Sequence, residues 1–185
     1  MKNAIILHRW GNSSKDNWFP WLKSELEKIG WKVWVPDLPE TSRPDVRNWD
    51  PYILNGWDIN KDTVLIGHSA GAVEALSILG QINTKIKIAI LVAGFTDEIA
   101  EEVMEDELKG LFRKPFDWQK VRQNVEKIIL IHSDDDPYVL LKHGEILKEK
   151  LNAKLIVRKG HKHFSISTGG ERFRKLPIIL KLVKE

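Results

Sequence analysis

The chain has 185 residues, 42% of them hydrophobic, which is the size of one domain able to bury its own core. It has no cysteine, so disulfides, Cys-ligated zinc, iron–sulfur centres and thiol nucleophiles are excluded. Its net charge of +3 arises from basic and acidic residues mixed along the chain, and nucleic acid is not an expected partner.

In chain order, the first apolar run is residues 4–7, a strand far too short to be a signal-peptide core. A helix is predicted over 18–29, with Trp18, Leu22, Leu26 and Ile29 on one side, followed by a strand over 33–35. Residues 36–50, punctuated by Pro36, Pro39 and Pro44, read as a loop leading into a short helix. A strand over 63–66 runs into a helix over 69–79, and a strand follows over 86–92. The acidic stretch 97–107 carries Ile99, Val103 and Met104, with Leu108 just beyond, at helix-like spacing, and reads as the solvated face of a short helix rather than a metal site. Helices over 117–124, 139–151 and 170–184 alternate with strands over 127–131 and 154–157.

Near-continuous apolar strands alternating with helices predict a single α/β domain over residues 1–185, a doubly wound, mostly parallel sheet of about six strands with helices on both faces. No run approaches the roughly 18 apolar residues that cross a bilayer. The expectation is a cytoplasmic protein without membrane association.

Ligands of such sheets lie beyond the carboxyl ends of the strands, so motifs there carry the most information. Gly67-His68-Ser69-Ala70-Gly71 follows the strand over 63–66 and opens a helix, as in the G-x-S-x-G nucleophile elbow of the α/β-hydrolase fold. On its own the pattern is weak, since on the order of one chain in twenty of this size carries it by accident; the strand before it and the helix after it raise its weight. The bland alternative is that Ser69 simply caps the helix.

A serine hydroxyl needs an imidazole to accept its proton and a carboxylate to orient the imidazole, in the chain order Ser, acid, His for this fold. Ser133-Asp134-Asp135-Asp136-Pro137 follows one late strand and Gly160-His161-Lys162-His163-Phe164 the next. Asp136 is the chosen acid, because Pro137 restricts its backbone, whereas Asp134 and Asp135 read as a solvated turn. Both His163 and His161 are candidate bases. His8, His68, His132 and His143 read as strand-end, elbow-filling, strand-end and helix-surface residues. Oxyanion donors are expected from the Ala70 backbone N–H and from the loop after the first strand, with Trp10 the expected donor and Arg9 the alternative.

Most of the eight tryptophans must pack in the core, while Trp10, Phe95 and Trp118 are candidate walls of an acyl pocket. Residues 95–116 offer the only room for a lid, and a minimal cap favours small esters or amides over large peptides or lipids.

Across essentially its whole length the chain resembles the YdeN-like, or retinoblastoma-binding-protein-type, serine hydrolases. The resemblance is carried by residues 8–14 followed by Asn17-Trp18-Phe19-Pro20-Trp21-Leu22, by Val35-Pro36-Asp37-Leu38-Pro39, by 67–71, by Leu91-Val92-Ala93-Gly94-Phe95, by 133–139 and by His163-Phe164 with the later Leu176-Pro177. It implies an α/β-hydrolase with little or no cap, a Ser69, Asp136 and His163 triad, and no cofactor or metal. The family's usual Gly-His-Phe has Lys162 in place of glycine, which keeps a register with His161 open, and Arg9 stands where the first loop usually has glycine. The retinoblastoma-binding sequence of the animal member needs a cysteine, so that partner is not carried over.

The expected function is hydrolysis of small carboxylic esters or amides through an acyl-enzyme. The alternatives are an acyltransferase and a non-enzymatic protein-binding module that keeps the fold.

Overall fold

The computed structural model describes residues 1–97 and 106–184. The six apolar runs pair as parallel strands: β1 (Asn3–Leu7), β2 (Lys32–Trp34), β3 (Thr63–His68), β4 (Ile86–Val92), β5 (Val125–Ser133) and β6 (Lys154–Arg158). Their order across the sheet is β2-β1-β3-β4-β5-β6, so the chain winds outward one way from β1 and then reverses through β3. The carboxyl ends on either side of that reversal form the crevice where such sheets bind ligands.

Side chains alternate between the two faces of a strand, and the core divides accordingly. Ile5, Leu7, Leu65, Ala89, Leu91 and Leu130 point to one face. There they meet α2 (Val46–Gly56), α3 (Ala70–Gln81), α4 (Trp118–Gln123) and α5 (Leu141–Leu151), through residues such as Trp49, Ile53, Val73, Leu76, Val121 and Leu147. On the opposite face Ala4, Ile6, Val64, Ile66, Ile90 and Ile131 pack against α1 (Phe19–Glu27) and α7 (Pro177–Lys184), through Phe19, Leu22, Leu26, Ile179 and Leu182. With both faces covered, each central strand must be apolar throughout, which is the pattern the sequence carries.

Local chemistry sets the helix limits. Pro20 sits in the first turn of α1, where its missing N–H costs nothing. Asp45 caps α2 by accepting from the Arg47 amide, and Asp117 caps α4 by accepting from the Lys120 amide. The helix foreseen at the end of 36–50 continues through Pro51 to Gly56, held by the buried Trp49 and Ile53.

In two places the structure departs from expectation. The helix predicted over 170–184 is broken into a 3₁₀ turn (Glu171–Arg174) and α7, and a short α6 (Ile166–Gly169) precedes it. Pro177 is the reason: its ring would clash with a preceding helical carbonyl, so Lys175 is extended and the helix restarts at the proline. His143 is buried rather than on the helix surface, because it lies on the face of α5 that carries Gly144, Leu147 and Leu151 inward. The acidic 97–107 helix falls largely outside the described residues, as does the middle of the 95–116 lid segment, whose later part is a 3₁₀ helix (Asp106–Phe112).

Candidate active site

Ser69 sits between β3 and α3 with φ 55° and ψ −118°, a conformation that side-chain-bearing residues rarely adopt. Its amide donates to the Val92 carbonyl at 2.8 Å, and its carbonyl accepts from Ala72 at 2.8 Å and Val73 at 3.2 Å, which holds the turn. A Cβ on Gly67 would lie 2.3 Å from the Gly71 oxygen, and one on Gly71 would lie 2.4 Å from the Leu7 oxygen. Both glycines are therefore imposed by neighbouring backbone. Gly71→Ala is expected to lower stability by about 1–3 kcal/mol, because β1 must be pushed aside, and urea unfolding reads this directly. Although Ser69 occupies the position before α3, its side chain makes no capping hydrogen bond. The hydroxyl, on a residue 8% exposed, is thus not spent on the helix.

The aspartates after β5 divide their work. Asp134 accepts from the Gly160 amide, and Asp135 accepts from the Ser133 hydroxyl and the Lys162 amide while pairing with the Lys162 ammonium, so both tie the two late loops together. Lys162 holds the Asp135 carboxyl well below the usual carboxylate range. Asp136 turns the other way. Its Oδ1 accepts from the Tyr138 and Val139 amides at 2.9 and 3.0 Å, and its Oδ2 lies 2.8 Å from His163 Nδ1. With Asp136 7% and His163 2% exposed, this pair is shielded from water. Nδ1 donates to the carboxylate, which leaves Nε2 as the nitrogen able to take a proton. Left-handed Lys162 and Phe164, at φ 50° and 51°, flank His163, and the buried Phe164 anchors the loop. His161 lies elsewhere: its Nδ1 is 2.9 Å from the Lys159 carbonyl, and its ring packs on Phe164 and Phe173.

A buried link joins the elbow to the histidine loop. His68, next to Ser69, donates from Nε2 to the His163 carbonyl at 2.9 Å, and the two rings are 5.1 Å apart. Burial, then the neighbouring His163 and Arg9, push the His68 pKa well down, so the ring is neutral and can serve as this donor. On the other side of the elbow, His8 donates from Nδ1 to the Arg9 carbonyl and accepts at Nε2 from the Leu38 amide, which clamps the loop after β1. Gly11, at φ 66°, bonds the Thr41 carbonyl, and the Trp10 indole donates to Ser42 at 2.8 Å. Among the described residues the Trp10 amide has no hydrogen-bond acceptor. The Ala70 amide belongs to the first turn of α3, whose N–H groups lack intrahelical partners.

A strained serine after β3, a carboxylate–imidazole pair from the loops after β5 and β6, and a clamped loop after β1 thus converge at one end of the sheet. Residues 4–185 match the family model described as "Serine hydrolase". The chain belongs to the serine hydrolase family. Among relatives, it is similar to serine hydrolase RBBP9 of Rattus norvegicus, 27% identical over 92% of this chain and 90% of that protein. It is also similar to YdeN of Bacillus subtilis (strain 168), 29% identical over 96% and 92% of the two chains. The crystal structure of the B. subtilis ydeN gene product superposes with a TM-score of 0.88 at 27% identity, covering 100% of this chain and 97% of that one. Est1E from Butyrivibrio proteoclasticus, at 16% identity, shares the fold with a TM-score of 0.72 over 99% and 85% of the two chains. The architecture of this family member is the α/β-hydrolase fold.

Three features of the site were missed or underread in the sequence: the His68 and His8 tethers and the placement of Tyr138, whose ring stands edge-on to His163 at 5.2 Å. Of the proposed pocket walls, Phe95 packs tilted against Phe112 and edge-on to His143, and Trp118 ends the same aromatic row through Phe116.

His132 on β5 is buried with neither ring nitrogen bonded among the described residues, and burial pushes its pKa down to about 4. The folded protein therefore takes up this proton only near pH 4, whereas the unfolded chain does so near 6.5. The His132 contribution is complete above pH 6.5 and is lost as pH falls toward 4, by about 3 kcal/mol. Buried Glu74, its carboxyl pushed up by burial and then by Asp50, acts in the opposite sense, losing its contribution as pH rises. Wild type should accordingly lose about 3 kcal/mol more than His132→Phe between those pH values, measured by urea unfolding at each pH.

Proposed function

We propose that this chain hydrolyses small carboxylic esters or amides through an acyl-enzyme formed on Ser69. The observation that carries the reading is the buried 2.8 Å bond between Asp136 and His163 Nδ1, beside a serine held in a strained elbow. The Ser69 hydroxyl attacks the carbonyl carbon while its proton passes to His163 Nε2. Charge developing on the carbonyl oxygen is met by the backbone N–H groups of Ala70 and Trp10. The tetrahedral intermediate collapses, the leaving group departs with the proton from Nε2, and the acyl group remains on Ser69. Water then attacks the acyl carbon, giving its proton to Nε2, and the carboxylic acid leaves as Ser69 recovers its proton. Asp136 fixes the imidazole tautomer and stabilises the imidazolium without itself taking the proton.

His163 serves as the base in this scheme because its Nδ1 meets Asp136, while His161 is engaged with the Lys159 carbonyl. The family supports hydrolase chemistry, and similar folds include structures described as carboxylesterases. A partition experiment tests the mechanism. Esters sharing one acyl group but differing in leaving group, hydrolysed with added methanol, should give one constant ratio of acid to methyl ester. A ratio that follows the leaving group would rule out a common acyl-enzyme.

A further inference from the structure

The loop after β1 places a cation beside the proposed site. Arg9 is half-buried, and its guanidinium donates to the Ser167 hydroxyl at 3.2 Å. Its Cζ lies 6.0 Å from the centre of the Tyr138 ring, the same ring that stands edge-on to His163. Arg9 is thus separated from the Asp136-bound imidazole by one aromatic side chain. Its own backbone is locked by His8, whose carbonyl packs so closely on Gly71 that a Cβ there would lie 2.6 Å away.

No carboxylate of the described residues forms an ion pair with Arg9. The acids whose fields reach it are committed elsewhere. Both oxygens of Asp136 are taken by the Tyr138 and Val139 amides and by His163, and Asp16 accepts from the Ser13 amide and hydroxyl. By contrast, Arg47 and Arg113 share Asp45, and Arg174 pairs with Glu171. A guanidinium has five N–H donors and stays charged in proteins, so Arg9 holds a partly desolvated positive charge with one neutral acceptor. Burial draws its pKa down from the usual guanidinium range, consistent with a charge that its surroundings do not fully balance.

We propose that Arg9 is a substrate-binding residue that selects esters or amides carrying a carboxylate, gripping that group in its planar fork while the scissile carbonyl lies at Ser69. The proposal rests on the ester-hydrolase reading above and names its substrate class. A guanidinium suits the role because it pairs with carboxylates bidentately, which a lysine ammonium does not do.

Two matched ester pairs test it: mono-4-nitrophenyl adipate against 4-nitrophenyl hexanoate, and 4-carboxyphenyl acetate against 4-carbamoylphenyl acetate. The first pair puts the acid on the acyl side and the second on the leaving-group side. Wild type should favour the acid in at least one pair by roughly 10-fold or more in kcat/KM. Arg9→Met should bring that ratio to about 1, and Arg9→Lys should leave an intermediate ratio. The ratio is the readout, so a general change in loop conformation, which affects both members of a pair, does not imitate the effect. Absence of an acid preference in both pairs, or its survival in Arg9→Met, would overturn the proposal. If no ester of either charge turned over, the ester-hydrolase reading would fail, and Arg9 would be judged by calorimetry with adipate and 4-hydroxybenzoate. Binding weakened about 10-fold or more in Arg9→Met would uphold the role, and equal or absent binding would overturn it.

Discussion

Ser69→Ala should lower kcat on a short-chain p-nitrophenyl ester by about 10⁶-fold, while unfolding stability stays within about 0.5 kcal/mol of wild type. Both halves follow from the elbow. In the proposed mechanism the hydroxyl is the group that bonds to the acyl carbon, so its loss removes the covalent route altogether. It contributes nothing to the cap of α3, since no side-chain capping bond is made. The strained backbone at φ 55° costs a serine and an alanine alike, because both carry a Cβ. Steady-state kinetics with a urea titration on the same preparation checks the pair. A large drop in stability would mean that the serine is held there for the fold.

His163→Gln should lower kcat by about 10⁴-fold or more, whereas His161→Ala should change it by less than about 10-fold. The difference lies in what each ring touches. His163 bonds Asp136 in a buried pair, while His161 bonds the Lys159 carbonyl and rests on Phe164 and Phe173. Glutamine is chosen because removing one member of a buried pair can cost 3–5 kcal/mol, and an amide N–H can still reach toward Asp136. The kinetic effect is then read on a folded protein. The reverse ranking of the two variants would transfer the role of base to His161.

The sheet was legible because parallel strands buried on both faces are apolar at successive positions, and residues such as Ile88 to Val92 or Ile128 to Ile131 satisfy that demand without alternation. The elbow was legible because backbone crowding at Gly67 and Gly71 leaves glycine as the only residue that fits. What a linear reading could not resolve were contacts between loops far apart in the chain. Asp134, Asp135 and Asp136 are chemically alike, and only the fold sends Asp135 to Lys162 and Asp136 to His163. The same holds for His68, which crosses to the backbone of His163, and for His8, which crosses to Leu38. The break before α7 had a local signal in Pro177 that the apolar pattern after Gly170 concealed. The inward turn of His143 was likewise masked, since its face is shared with Gly144 and Leu147.

The proposed acyl-enzyme makes Ser69 the reactive nucleophile of the whole chain, and a fluorophosphonate probe reports that property without any knowledge of the natural substrate. Incubation of the native protein followed by peptide mass spectrometry should find one adduct, on the peptide containing Ser69, and none on protein unfolded beforehand or carrying His163→Gln. A folded protein that stays unlabelled, or an adduct on another serine, would contradict the account.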